Sequence, residues 1–169
     1  MLEPKIIDAY IEVLESELLL ATGCTEPIAL AYAAARGRAV LGRDPEGILA
    51  RCSGNIIKNV RCVRIPNSGG MTGIESACAL GALAGDADRV MEVLEGVTAA
   101  GRVATVAFLQ KGTCSVEFLD SPIPLHFIIT LIAGGDWVEV EVRHSHRNIV
   151  RITKNQEVVF EVEDKVDVI

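Results

Sequence analysis

The sequence predicts an α+β domain, with Ala- and Gly-rich helices packed on a mostly antiparallel sheet. Two small-residue stretches, IALAYAAARGRAVLG (28–42) and IESACALGALAG (74–85), lie in the first half of the chain. Side chains this small let helix backbones approach closely. From Thr113 onward the texture changes: apolar residues alternate with polar ones at period two, the signature of half-buried strands. At 169 residues and 50% hydrophobic, residues 1–169 form one domain with a substantial core.

The elements follow in order. Ile7, Ile11, Leu14 and Leu18 recur at helical spacing among Glu12, Glu15 and Glu17, which predicts a helix over 4–22 with Pro4 in its first turn. Gly23 stops it. Gly23-Cys24-Thr25-Glu26-Pro27 is a tight corner: Cys24 or Thr25 stands where an N-cap belongs, and Pro27 suits the first turn of a second helix over 27–41. Gly42–Gly47 reads as a loop. A strand over 48–53 places Ile48, Ala50 and Cys52 on one face, SGNIIKN (53–59) reads as a polar turn, and a second strand is expected near 61–65. PNSGGMTG (66–73) is a glycine loop leading into the small-residue helix at 74–85, with further helices at 87–95 and 97–111. Cys114, Val116 and Phe118 alternate, a strand is expected at 126–133, and Val138, Val140 and Val142 define the next. Val150 and Ile152 pair through Lys154-Asn155-Gln156 with Val158, Phe160 and Val162 as a hairpin. The final EVEDKVDVI reads as a domain boundary.

Charge and hydropathy exclude several function classes. The net charge of −7 opposes a nucleic-acid backbone or an anionic membrane as partner. No apolar run reaches the roughly 18–20 residues needed to span a bilayer, and the charged first ten residues are no secretory signal. A cytoplasmic protein is expected. Its five cysteines, Cys24, Cys52, Cys62, Cys78 and Cys114, show no CxxC spacing, so neither a zinc ribbon nor a complete local iron–sulfur motif is present. In a reducing compartment, four of them read as small buried hydrophobes; Cys24 keeps different company.

Four constellations offer chemistry. The corner at 23–27 exposes helix N-terminal amides that bind a carboxylate and favour a thiolate at Cys24; the bland alternative is a capped turn. In SGNIIKN, Asn55 and Asn59 flank Lys58, which can neutralise a carboxylate or stabilise developing charge; the alternative is a solvated turn. Ser68, Gly69 and Gly70 lie in a loop whose amides can close on an anion, but it is neither a Walker A loop nor a dinucleotide fingerprint. His144-Ser145-His146-Arg147-Asn148 holds two histidines that would face one way on an extended segment. A general base or hydrogen bonder, His146 first, is favoured there over a zinc site. His126 reads as a packed or edge residue. Glu92, Glu95, Glu161, Glu163 and Asp164 read as solvated faces.

The ordered blocks GCTEPIALAYAAA (23–35), SGNIIKN (53–59), PNSGGMTG with the helix after it (66–85), MEVLEG (91–96) and HRNIV (146–150) resemble the amino-terminal part of the L-cysteine desulfidase family, serine dehydratase alpha-like proteins. The resemblance implies β-elimination from L-cysteine, or from L-serine as in the related dehydratases, giving pyruvate, ammonia and sulfide or water. It also implies a [4Fe–4S] cluster and no pyridoxal phosphate. Cys24 would ligate the cluster, with the remaining ligands in a helical carboxy-terminal domain or subunit outside this chain. Arg147 stands where that family has a small hydroxyl residue. The expected site is then Cys24, Lys58 and His146 for chemistry, with Gly23, Thr25, Glu26, Asn55, Asn59, Ser68, Gly69, Gly70 and Asn148 gripping a small amino-acid substrate. Two other readings stay open: a non-catalytic amino-acid-binding regulatory module, and a structural domain forming a homo-oligomer through its Ala-rich helices.

Overall fold

The computed structural model describes Lys5, Ile6, Asp8 and residues 25–163. The helix expected at 4–22 falls largely outside the described residues, and Gly23, Cys24 and the tail from Asp164 fall wholly outside them.

The fold is α+β, as expected. Helix α1 (Thr25–Leu41) leads to strand β1 (Gly47–Cys52), then α2 (Gly54–Val60), α3 (Ile74–Ala84), a short 3-10 segment (Ala87–Glu92) and α4 (Ala99–Gln110). Five strands follow: β2 (Cys114–Phe118), β3 (His126–Ala133), β4 (Asp136–Arg143), β5 (Ile149–Lys154) and β6 (Glu157–Glu161). The sheet order is β2-β1-β3-β4-β5-β6. Only β1 and β2 run parallel, because the helical stretch between them carries the chain back across the sheet.

Period-two alternation sets which face is buried. Ile48, Ala50 and Cys52 of β1 lie opposite Leu131, Ile129 and Phe127 of β3, which in turn adjoin Val138, Val140 and Val142 of β4. All nine are buried beneath the helices. Helix α1 is the central element. Ala29, Leu30, Ala31, Ala33 and Ala34 are fully buried, so it is enclosed rather than amphipathic. Glycine permits this. A Cβ on Gly37 would sit 2.8 Å from a Leu131 methyl, and a Cβ on Gly81 of α3 would fall within the Ala31 backbone. The two helices therefore pack backbone to backbone.

Two expectations fail here. SGNIIKN is no turn between strands: Gly54–Val60 forms a helix, because Ile56 and Val60, four residues apart, both reach the core while Asn55, Lys58 and Asn59 share the exposed face. The strand near 61–65 does not form. Only Arg64 makes an isolated bridge, to Thr72, and Ile65 alone of that stretch is buried, so no second strand is held in register. Cys62 is exposed, against the expectation of a buried thiol.

The β5–β6 hairpin does form, and its turn yields a prediction. Asn155 and Gln156 both have left-handed backbones, φ 48° and 73°, as a two-residue type I′ turn requires. Asn tolerates this conformation, and its side chain accepts from Trp137 N at 2.9 Å. Gln does not. Gln156→Gly is expected to raise unfolding free energy by about 0.5 kcal/mol, read as a higher urea midpoint at unchanged slope.

Candidate functional site

One end of the sheet gathers residues that are far apart in sequence. The first turn of α1, carrying Thr25 and Glu26, lies at the same end as the β4–β5 turn at 144–148. That turn is clamped shut. Ser145 N donates to Arg143 O at 2.9 Å, Asn148 N to Ser145 O at 3.1 Å, and the Asn148 side-chain amide to Arg143 O at 2.8 Å. Asn148, expected to touch substrate, shapes the loop that holds His146. His144 adopts φ 71°, so the two histidines do not lie side by side on an extended segment, and the metal-ligand geometry imagined for them is absent.

The clamp brings His146 Nε2 to 3.7 Å from Glu26 Oε1, with both side chains mostly buried. That distance is just too long for a hydrogen bond. His146 Nε2 itself is shielded from solvent and has no hydrogen-bond partner among the described residues. A buried polar atom left unmatched costs about 1–3 kcal/mol. The pair thus unites the corner at 23–27 with the HRN segment, two blocks about 120 residues apart.

The other expected residues sit elsewhere. Asn55, Lys58 and Asn59 line the exposed face of α2, and no hydrogen bond or ion pair joins them to Glu26 or His146. Ser68 closes its own loop: its hydroxyl donates to Ile65 O at 2.6 Å and accepts from Met71 N at 2.9 Å. The loop is pinned to the segment before α4 by Asn67, which donates to Leu94 O at 2.9 Å, and Arg102 closes over it against Gly69. Ser68 and Gly69 border a groove along α4, and Gly70 stands open with nothing nearby.

Thiol chemistry is muted in the described part. Burial pushes Cys52 up to about 12, with Glu75 adding to the shift; the same causes push Cys114 up to about 12. Burial also raises Cys78 well above its ordinary range. Thiols held protonated are poor metal ligands. Among the described residues no three His, Cys, Asp or Glu side chains assemble into a metal-binding group. No described helix is long and apolar enough to cross a membrane.

A second cluster was hidden in the strand alternation. Glu141 is 3% exposed although it points away from the helices. Its Oε1 accepts from Arg143 Nε at 2.7 Å and lies 2.9 Å from His126 Nε2; its Oε2 accepts from Arg151 at 2.8 Å. Ser121 Oγ sits 2.8 Å from the other nitrogen of His126, which confirms His126 as a packed residue. Burial works to raise the Glu141 carboxyl, but the hydrogen bonds from His126, Arg151 and Arg143 prevail and hold it below the ordinary carboxylate range. The pairing of Glu141 with Arg151 across β4 and β5 was the available signal, but it needed the strand register.

Comparison with known proteins changes the family reading. The chain is 43% identical over 91% of its length to a UPF0597 protein of Treponema denticola, 44% over 89% to one of Finegoldia magna, and 38% over 91% to one of Yersinia enterocolitica. It spans only 36%, 36% and 35% of the length of those relatives. No family model matches the chain, and no solved structure matches it significantly. The expected resemblance to the L-cysteine desulfidase family is thereby overturned: the similarity runs to proteins named UPF0597, a distinct group whose name states no reaction. The expected desulfidase or dehydratase function falls with it.

Proposed function

We propose that this chain contributes an acid–base pair, Glu26 and His146, to an active site completed by the remainder of a longer protein. The observation that carries this reading is the buried, unpartnered Nε2 of His146 facing the Glu26 carboxylate at 3.7 Å. An imidazole can accept a proton at one nitrogen while a carboxylate steadies the cation that forms. A ligand hydroxyl bonding both groups would displace the packing that shields Nε2 and open this 3.7 Å contact. Glu26 lies in the first turn of α1, where the partial positive charge of the helix N-terminus complements a carboxylate. Because the chain spans about a third of its relatives, the other wall of the site is assigned to sequence beyond it.

The test uses an activated ester, p-nitrophenyl acetate, which reports a competent imidazole without knowledge of the natural substrate. The chain is expected to hydrolyse it about tenfold faster than His146→Ala, with Glu26→Gln in between and His144→Ala like the parent. Thermal melts establish that the variants are folded. A parent rate no higher than that of folded His146→Ala overturns the proposal.

A further inference from the structure

A cleft of about 440 Å³ opens between α1 and the β5–β6 hairpin, immediately beyond the turn that carries His146. Its size suits a small organic ligand. Tyr32 and Arg36 of α1 form one wall, Arg147 of the turn forms the other, and Ile152, Phe160 and Val162 form an apolar floor. Among the described residues no acidic side chain lines it. Phe160, paired with the core residue Ile152, is 44% exposed and Val162 is 40% exposed.

Its polar groups lack strong partners. Arg36 donates to Ala87 O at 3.3 Å and lies 3.7 Å from Asp88, whose side chain is 90% exposed, so that pairing is weak. Arg147 makes no ion pair or hydrogen bond with a described residue, and neither does the Tyr32 hydroxyl, although Tyr32 is only 8% exposed. Arg147 and the Tyr32 phenol thus border an apolar trough, with Arg36, whose only partners are a backbone carbonyl and an exposed carboxylate, on the same wall as Tyr32. A guanidinium presents a planar fork that fits a carboxylate with two parallel hydrogen bonds.

We propose that this cleft binds a small amphiphilic carboxylate, its head held by Arg147, Arg36 and Tyr32 and its hydrocarbon body on Ile152 and Phe160. A monoanion is favoured over a phosphate dianion because the chain carries a net charge of −7, whose field opposes a second negative charge. The proposal names the ligand class for the acid–base site. It rests on that reading only in placing the reactive end of the ligand toward His146; binding in the cleft stands alone.

Hexanoate is the probe, titrated into the isotope-labelled chain and followed by amide and methyl shifts. Saturable shifts are expected at Arg147, Ile152 and Phe160. Acetate, which lacks the body, and hexanol, which lacks the charge, are each expected to bind at least tenfold more weakly. Arg147→Ala should weaken hexanoate about tenfold or more, Arg147→Lys less, and Phe160→Ala should weaken hexanoate without changing acetate. His146→Ala should leave hexanoate binding unchanged, so loss of ester hydrolysis with binding intact counts only against the acid–base pair. Absence of saturable shifts, or Arg147→Ala binding as tightly as the parent, overturns the proposal. Hexanol equal to hexanoate also overturns it, marking the floor as a seat for another protein segment. Hexyl phosphate binding tighter than hexanoate overturns the choice of carboxylate.

Discussion

Glu141→Gln is expected to lower unfolding free energy by about 3 kcal/mol at neutral pH and to drop Tm by roughly 6–12 °C. The substitution keeps the shape of the side chain and removes its charge. His126, Arg143 and Arg151 would then meet at a neutral amide. Breaking a buried ion cluster by removing one partner is strongly destabilising because the charges left behind are uncompensated. Arg143 and Arg151 are partly exposed, which lets water relieve some of the penalty and sets the expectation at the lower end of the usual range. The same group governs acid stability. Its folded carboxyl titrates below the ordinary value of 4.5, so its contribution is fully present above that value. It is lost as pH falls from there through the lower folded value. Urea midpoints measured from neutral pH downward should decline steeply across that window in the parent and less steeply in Glu141→Gln. Equal slopes would show that Glu141 is not the group responsible.

Gly81→Ala is expected to cost about 3 kcal/mol or more, by chemical denaturation. The added methyl has no room: it would collide with the carbonyl, Cα and backbone carbon of Ala31, none of which can rotate away. Either α1 and α3 separate or the helix bends, and both open the most tightly packed layer of the domain. Gly135→Ala makes the control. Nothing lies within 4 Å of its Cβ position and its backbone is not left-handed, so a change within about 0.5 kcal/mol is expected. Similar midpoints for the two variants would mean that α1 and α3 are not in backbone contact.

Much of the architecture was legible in the residues. The Ala run between Pro27 and Gly42 is a helix, IESACALGALA is another, and Ile48, Ala50 and Cys52 share a buried face because strand geometry alternates side chains strictly. The hairpin at 154–157 announced itself through polar turn residues between two apolar runs. Short elements were harder. In SGNIIKN a single pair, Ile56 and Val60, marks a helix of two turns, and Ser, Gly and two Asn residues outvote it in any local reading. Among the candidate site residues, the types were readable but their company was not. Lys58, Asn55 and Asn59 lie on the exposed face of a helix rather than in a turn, and Ser68 and Asn148 each bond within their own loops.

Local periodicity determined the α+β class, the order of most elements and the buried faces, because these depend on interactions between near neighbours in the chain. Only the tertiary structure decided which distant residues meet. The Glu26–His146 pair joins positions about 120 residues apart, Arg36 and Arg147 face one cleft from different layers, and Glu141 collects His126, Arg143 and Arg151 from three strands. Each of these depends on sheet order, strand register and the depth at which α1 is seated. The depth of α1 is set by the packing of Gly81 on Ala31 and Gly37 on Leu131, contacts in which the decisive feature is the absence of a side chain.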